Sequence, residues 1–366
     1  MTSSTLHVRT EGQSITAQPV RRAEPHPRSS KPAGGATALC LLLCVVISAG
    51  LCWWRLSNVE VPTDAPQLAG EVHAVARDRL IATIAVGMAL GAAGLLLRTA
   101  TRNPLADPEI TGVNSGAAFG AVFATTVTGS ISGAAVLPGA LIGAAVAALI
   151  TVGLGMRGRQ GDPTGKLAVQ RLILLGIAIS ALFSALSAIV LVIDEAQLST
   201  VLSWLNGRLG GVRIQQTLPV IIATALLLPA AWLGARAFDA LSAGDAIASS
   251  VGANPRRIRI IAVSIAVLLV GTSVAATGPI GFLGLMAAVV AHRIAGPRHR
   301  LGLLIAPAVG ATVLLIADTI GQALWAPAET PVGVVTALAG VPLLLWGINR
   351  LDATAKRRAR RTPTRA

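Results

Sequence analysis

The chain has 366 residues, of which 53% are hydrophobic and only 13% are charged, and its mean hydropathy is +0.70. Soluble domains carry about a quarter of their residues as charges, so this composition excludes an ordinary soluble protein and indicates a membrane protein. The formal net charge of +14 could suggest a nucleic-acid partner, but the distribution of the basic residues favours another explanation.

Ten apolar stretches of at least 17 residues follow one another along the chain. A helix of about 20 residues crosses the roughly 30 Å hydrocarbon core of a bilayer, so each stretch predicts a transmembrane helix. The predicted spans are 36–54, 80–97, 112–128, 134–156, 167–193, 214–235, 258–277, 279–296, 301–325 and 331–348. We therefore expect an all-α polytopic membrane protein with about ten transmembrane helices in one domain, 36–350.

The charges outside these spans predict the orientation of the chain. Residues 1–35 are polar and aperiodic and are expected to form a disordered cytoplasmic tail, whereas 351–366 form a basic cytoplasmic tail. With both termini inside, 24 Lys and Arg fall on the cytoplasmic side and five fall outside, as the positive-inside rule requires. This bias predicts a multi-pass protein of the cytoplasmic membrane that contacts anionic lipid and has no nucleic-acid partner. The five outer basic residues are Arg55, Arg77, Arg79, Arg208 and Arg213.

The sequence offers no convincing site for metal, cofactor or catalysis. Cys40, Cys44 and Cys52 lie in the first span without a nearby His or acidic residue, which is a poor donor set for a metal. The segment 161–167 resembles a phosphate loop, but its glycine spacing is short and no Ser or Thr follows Lys166. We expect a chain that is not itself an enzyme and binds no cofactor.

The loop after the second span has the pattern of a turn followed by a helix start. Asn103 and Pro104 are typical of a turn, and Asp107 is placed to cap a helix whose first residue is Pro108. In the span that follows, glycines four residues apart predict a flat stripe for close helix packing. They are Gly112, Gly116 and Gly120.

The predicted cytoplasmic loop 239–254 contains a short helix of its own. Ser242 and Asp245 form a weak capping box, and Gly252 suits a helix end, so 243–251 is expected to form about two helical turns. A helix this short is marginal alone in water, which indicates that it docks against another surface. The alternative is a solvated connector.

Two later segments interrupt apolar sequence with Gly and Pro and predict breaks within the membrane domain. The first contains Gly278, Pro279 and Gly281, and the second contains Pro331 and Gly333. Breaks of this kind occur in transporters, where they line a pathway.

Ionisable residues within the spans are few, and this bears on the energy source. Apart from Asp318 and Arg171, the predicted spans hold little charge, and both residues lie towards span ends. Secondary transporters place ionisable groups where the driving ion binds. A proton or sodium relay is therefore poorly supported, and the energy is expected to come from a partner.

Seven short motifs occur in order over about 75–350, and together they resemble one family. They are 101–108, 112–118, 172–178, 204–207 (Trp-Leu-Asn-Gly), 241–245, 278–284 and 327–333. The chain is similar to the permease subunits of ATP-binding-cassette (ABC) importers for ferric siderophores, haem or cobalamin. The resemblance implies a type II importer fold, a second permease subunit, two ATPase subunits that hydrolyse the ATP, and an extracytoplasmic substrate-binding protein.

The resemblance also implies roles for two groups of residues. The loop 239–254 becomes the coupling element that sits in an ATPase cleft. Its expected contact residues are Leu241, Ser242, Ala243, Gly244, Asp245, Ala246, Ala248, Ser249 and Gly252. The residues expected to meet the binding protein are Arg77, Arg79, Arg208 and Arg213.

The chain departs from the family pattern at two places. Ala288 and Val289 stand where family members commonly have Pro-His, and 76–79 reads Ala-Arg-Asp-Arg in place of Arg-Leu-Pro-Arg. The expected cargo is a ferric siderophore, with haem or cobalamin as the alternative. A secondary transporter or a non-transporting membrane scaffold is the alternative from another class.

Overall fold

The computed structural model describes residues 33–59, 66–109, 112–129, 133–155, 166–193, 204–324 and 330–342. Helices and their connections make up these ranges, which contain no β-strand. The expected tails, 1–32 of the amino-terminal one and all of 351–366, lie outside the described residues, as does the segment 161–165 of the phosphate-loop resemblance.

The described residues form twelve α-helices, and the connections between helices are short after α6. Their bounds are α1 Ala33–Ser57, α2 Ala69–Thr101, α3 Val113–Thr128, α4 Gly133–Gly155, α5 Lys166–Ile193, α6 Ile214–Leu233, α7 Ala235–Ala243, α8 Asp245–Ser250, α9 Pro255–Thr277, α10 Leu283–Ala295, α11 His299–Leu324 and α12 Val332–Pro342. A short 3-10 helix, Pro66–Leu68, precedes α2.

Each of the ten predicted spans overlaps one of these helices, with 343–348 of the last span outside the described residues, and the all-α polytopic architecture is confirmed. Within the described residues, six helices are long and apolar enough to cross a membrane: α1, α2, α5, α6, α9 and α11. Helix α10 has only 13 residues and is about 20 Å long, at 1.5 Å per residue. It is therefore too short to cross roughly 30 Å of hydrocarbon alone.

Helix α2 is the centre of the bundle. In its apolar 18-residue window 83% of residues are buried, compared with 11% in α1 and 22% in α6. It packs against α11, α9, α10 and α6, and its Leu90, Leu96 and Leu97 are almost completely enclosed. The outward faces of α1 and α6 are apolar, as lipid contact requires.

Glycines bring α3 and α4 into backbone contact. A Cβ on Gly116 would lie 2.5 Å from the Gly143 carbonyl oxygen, and one on Gly120 would overlap the carbonyl oxygen of Gly139. The predicted close packing is therefore confirmed for these two positions. Gly112 lies outside the stripe, because it is the residue before α3 and has a φ of 78°.

Glycines also bring α2 into backbone contact with two other helices. Substituents on Gly87 would collide with Ala311 of α11, whose Cα would lie only 2.6 Å from the new Cβ. Gly94 meets Gly284 of α10 in the same way. These contacts fix α10 and α11 against the central helix without intervening side chains.

Candidate functional site

The loop 239–254 is built from two helices that are separated by one glycine. Gly244 has φ 137° and ψ 151°, a conformation that side chains with a Cβ rarely adopt, and it ends α7 and begins α8. The expected short helix is present, but it begins at Asp245 and not at 243, and the predicted capping box is wrong. Ser242 donates instead to the Asp239 carbonyl oxygen, at 2.8 Å, and does not cap α8.

The carboxyl end of α8 follows the sequence prediction. Gly252 has a φ of 78°, and its N–H donates to the Ser249 carbonyl oxygen at 3.0 Å. The N–H of Ala253 donates to the Ala248 carbonyl oxygen, also at 3.0 Å. This pair of bonds is the Schellman arrangement, which confirms Gly252 as the helix end.

Two arginines tie the loop to the helical bundle. Arg102, just after α2, donates to the Leu241 carbonyl oxygen at 3.2 Å and forms an ion pair with Asp245. Arg259, in α9, donates to the Ala100 carbonyl oxygen at 2.8 Å and pairs with Asp245 at 3.1 Å. The loop is thus joined to the end of α2 and the beginning of α9 through one shared carboxylate.

The loop also has a buried face and an exposed face. Leu241 and Ala248 are fully buried, so these two expected contact residues hold the loop to the bundle and do not lie on its surface. The other expected contact residues are exposed, apart from the half-buried Gly244. Between them lie Ile247 and Val251, which are 53% and 67% exposed.

Ile247 and Val251 are the functional candidates that sequence reasoning missed. They are four residues apart and therefore share one side of a helical turn. The signal in the sequence was an apolar i, i+4 pair within a short segment of small and polar residues. Large apolar side chains that remain exposed beside a rigid anchor are suited to docking.

The turn after α2 differs from its prediction, because no helix begins at Pro108. The Asn103 side chain accepts from the Leu105 N–H at 2.9 Å, which confirms a turn there. One carboxylate oxygen of Asp107 accepts from the Glu109 N–H at 2.9 Å. The other accepts from the N–H of Leu285 at 2.8 Å, so Asp107 caps α10, a distant helix, in place of α3.

Three irregular segments meet near the beginning of α10. Gly278, which ends α9, approaches the Trp204 carbonyl oxygen, and Gly333 approaches that of Asn206. A Cβ on Gly207 would lie 2.7 Å from the Pro279 carbonyl oxygen. The two Gly/Pro breaks predicted around 278–284 and 331–333 therefore lie together, against the 204–207 motif.

A cavity of about 620 Å³ opens where these segments meet. Its lining is mostly apolar and comes from the length of α12, the 279–282 segment and residues 205–206. Glu109 adds one carboxylate, which accepts from the Asn114 side-chain amide at 2.7 Å. Pro331 is half-buried at the start of this region, directly before α12.

The outer arginines predicted from the sequence divide into two kinds. Arg79 is buried and donates to both carboxylate oxygens of Asp318, with its shortest bond at 2.8 Å. Arg55 pairs with the same carboxylate at 2.6 Å. Arg77, Arg208 and Arg213 are exposed.

The buried ion-pair cluster around Asp318 links α1, α2 and α11, and it shows what surrounds this charged residue of a predicted span. Asp318 is 1% exposed and lies between Arg79 of α2 and Arg55 of α1, and Gln322 donates to it at 3.0 Å. Asp78, which precedes Arg79 in the chain, accepts from the N–H of Ile214, the first residue of α6, at 3.1 Å. Asp318 is therefore a neutralised structural carboxylate in this arrangement. The side chain of Arg171 is outside the described part of α5.

A bundle of membrane-length helices with interrupted segments around a cavity, together with an anchored loop at one end, defines a polytopic membrane transport subunit. The chain belongs to the FecCD transport family, whose model matches residues 36–350. The predicted membership in the iron-chelate permease family of ABC importers is thereby confirmed.

Individual relatives agree with this assignment. The chain is 34% identical to the Fe(3+) dicitrate transport system permease protein FecD of Escherichia coli, over 75% of this chain and 83% of the relative. It is 36% identical to the hemin transport system permease protein HmuU of Yersinia pestis, over 74% and 81%. The cobalamin import system permease protein BtuC of Halobacterium salinarum is 31% identical, over 86% and 84%.

The fold itself has a solved counterpart. A metal-chelate type ABC transporter in an inward-facing conformation superposes with a TM-score of 0.73 and covers 86% of this chain and 99% of the other. The sequence identity is 24%, so this likeness concerns the fold alone. It agrees with the type II importer permease fold that the sequence motifs predict.

Proposed function

We propose that this chain carries a ferric siderophore across the cytoplasmic membrane as one of two permease subunits of an ATP-driven importer. Two separate ATPase subunits hydrolyse ATP at the cytoplasmic loop 239–254, and an extracytoplasmic binding protein delivers the cargo to the opposite face. Both chain termini lie in the cytoplasm. The permease itself carries no catalytic residue and no cofactor.

The anchored loop with its exposed apolar pair is the observation that carries this proposal. Ile247 and Val251 would otherwise expose apolar surface to water, and burial of such a side chain is worth about 1.5–3 kcal/mol. The salt bridges of Asp245 hold the loop to α2 and α9, so a force applied to it reaches two membrane helices directly. An ATPase cleft that closes around the loop would supply both the cover and the force.

The state of Asp318 favours a partner as the energy source over a driving ion. A carboxylate that binds and releases a proton or sodium must be free of permanent counter-ions for part of the cycle. Asp318 is held by two buried arginines and a glutamine. This arrangement supports ATP-driven import and disfavours the secondary-transporter alternative.

Docking of the binding protein is assigned to the exposed arginines. Arg77, Arg208 and Arg213 are exposed and belong to the predicted outer surface, where they can meet acidic residues of a partner. Arg79 was expected in the same role, but its guanidinium is engaged with Asp318 in the interior. We therefore propose the first three arginines for docking and a structural role for Arg79.

The cargo is proposed from the relatives, which are named for several chelates. The ferric enterobactin permease protein FepD and the hemin permease protein HmuU are both 36% identical to this chain. Iron(3+)-hydroxamate and cobalamin permeases match at 31%. Most of the relatives are named for an iron(3+) chelate other than haem, namely citrate, dicitrate, enterobactin, hydroxamate or an unspecified siderophore, so we favour a ferric siderophore over haem and cobalamin.

Uptake in a strain that lacks this permease gene tests the proposal. Cells that express the chain with its genomic ATPase and binding-protein partners are given labelled ferric siderophores, haem or cobalamin. We expect ATP-dependent accumulation of a ferric siderophore and no rescue of the other two cargoes. If only the uptake of haem or cobalamin is restored, that compound is the cargo and the ferric siderophore is not. Uptake that persists without the ATPase would contradict the importer mechanism.

A further inference from the structure

A small basic cavity lies beside the loop 239–254, away from the cavity at the beginning of α10. Its volume is about 190 Å³, and it is formed by the last turn of α2, the connection between α10 and α11, and Ser242 of α7. Three arginines and two histidines contribute to its wall, and no Asp or Glu among the described residues does. They are Arg98, Arg102, His292, Arg298 and His299.

Two acidic residues contact side chains that line this cavity, and both are already engaged. Asp239 accepts from the backbone N–H of His299 at 2.7 Å and contacts its ring Nδ1 at the same distance. Asp245 is shared between Arg102 and Arg259. Neither carboxylate is therefore available to neutralise the remaining cations of the cavity.

Two guanidinium groups remain without a carboxylate at ion-pair distance among the described residues. Arg98 is half-buried, and its side chain makes one long hydrogen bond, 3.4 Å, to the Pro104 carbonyl oxygen. Arg298 is exposed at the other side of the cavity. A partly desolvated cation without a counter-ion is unfavourable, and a bound anion removes this penalty.

We propose that this cavity binds a phosphate-class anion, either free phosphate or the phosphate of a phospholipid headgroup. Guanidinium groups suit phosphate because their N–H donors match pairs of its oxygens. The volume would hold roughly six water molecules at about 30 Å³ each, which leaves room for one tetrahedral anion with its hydration. The phospholipid source is reasonable because these helix ends lie at the predicted cytoplasmic surface, where anionic lipids attract basic residues.

The anion would lie against the connection between loop and bundle. Arg102 lines the cavity and also holds Leu241 and Asp245, so an anion there shares a guanidinium with the loop. This site belongs to the permease chain itself and goes beyond the proposed import function. Its test does not depend on cargo, ATPase or transport.

The test measures anion binding to the full chain, purified in a neutral detergent. In one arm inorganic phosphate is titrated at constant ionic strength against chloride, and thermal unfolding is followed. In the other arm the chain is placed in nanodiscs of phosphatidylcholine with or without phosphatidylglycerol, and bound lipid is counted by native mass spectrometry. Saturable stabilisation by phosphate identifies the free anion, and retained phosphatidylglycerol identifies the lipid.

Variants then locate the site. Arg98→Gln and Arg298→Gln are each expected to weaken binding about tenfold or more, because each removes a charge-assisted contact. Arg300→Gln is the matched control, since Arg300 stacks on Trp232, 5.1 Å from the ring centre, and does not line this cavity. If Arg98→Gln does not fold, Arg298→Gln carries the test. The proposal is overturned if neither arm detects saturable binding, or if both variants bind as Arg300→Gln does.

Discussion

Replacement of Asp318 by Asn is expected to destabilise the membrane domain severely. The carboxylate is 1% exposed, and the two arginines that it neutralises, Arg79 and Arg55, are only 10% and 9% exposed. Loss of one partner of a buried ion pair costs about 3–5 kcal/mol, because the remaining charge has no counter-ion. Asn can still accept a hydrogen bond, so we expect about 3 kcal/mol, which is roughly a 100-fold loss in the folding equilibrium.

Unfolding of the purified chain in mixed micelles, with SDS as the denaturant and circular dichroism as the readout, measures this change. Asp245→Asn is the control: this carboxylate also pairs with two arginines, but it is 51% exposed, so its loss should cost less than about 1 kcal/mol. In the double variant with Arg79→Gln the two effects should not add, because the second change removes one unpaired cation. Equal stability of the Asp318→Asn and Asp245→Asn variants would refute the reasoning.

Two further predictions concern the loop and the helix contacts. Ile247→Asp and Val251→Asp should each reduce ATPase co-purification and uptake about tenfold or more, while thermal stability stays near that of the native chain. Ser250→Asp is the charge control, because Ser250 is exposed on the same short helix and is not one of the expected contact residues. Unchanged uptake in both apolar variants would exclude this pair as the docking contact. Gly120→Ala should destabilise the chain by about 1–3 kcal/mol, because the new Cβ would overlap the Gly139 carbonyl oxygen. A Cβ on Gly153 would have no neighbouring atom within 4 Å, so Gly153→Ala should be neutral or slightly stabilising. The two are compared by the same unfolding assay, and equal effects would show that the close approach is unimportant.

Features with a local cause could be predicted from the sequence. The ten apolar helices follow from runs of apolar residues, and the end of α8 follows from Gly252, whose conformation is favourable only for residues such as glycine. The glycine stripe on α3 was also recognisable, since four-residue spacing places Gly116 and Gly120 on one side of the helix.

Features that depend on a distant partner could not be predicted in this way. The sequence around Asp107 predicts a cap on the next helix, but its second carboxylate oxygen accepts from the N–H of Leu285, 178 residues away. The sequence around Arg79 predicts an exposed docking residue, but its guanidinium is buried and donates to Asp318, 239 residues away. The expected short helix begins only after Gly244, and Leu241 and Asp245 on either side of this glycine are bound to the bundle, which a capping pattern does not reveal.

The fixation of α2 at both ends has a mechanical consequence. The helix has 33 residues and is about 50 Å long, and it is clamped near one end by Arg79 and at the other by Arg102. One end of α2 is joined to α1 and α11 through the ion pairs of Asp318, and the other end is joined to the 239–254 loop through Arg102. Displacement of the loop therefore acts first on the end of α2 next to Arg102, and α1 and α11 are joined to the other end of the same helix.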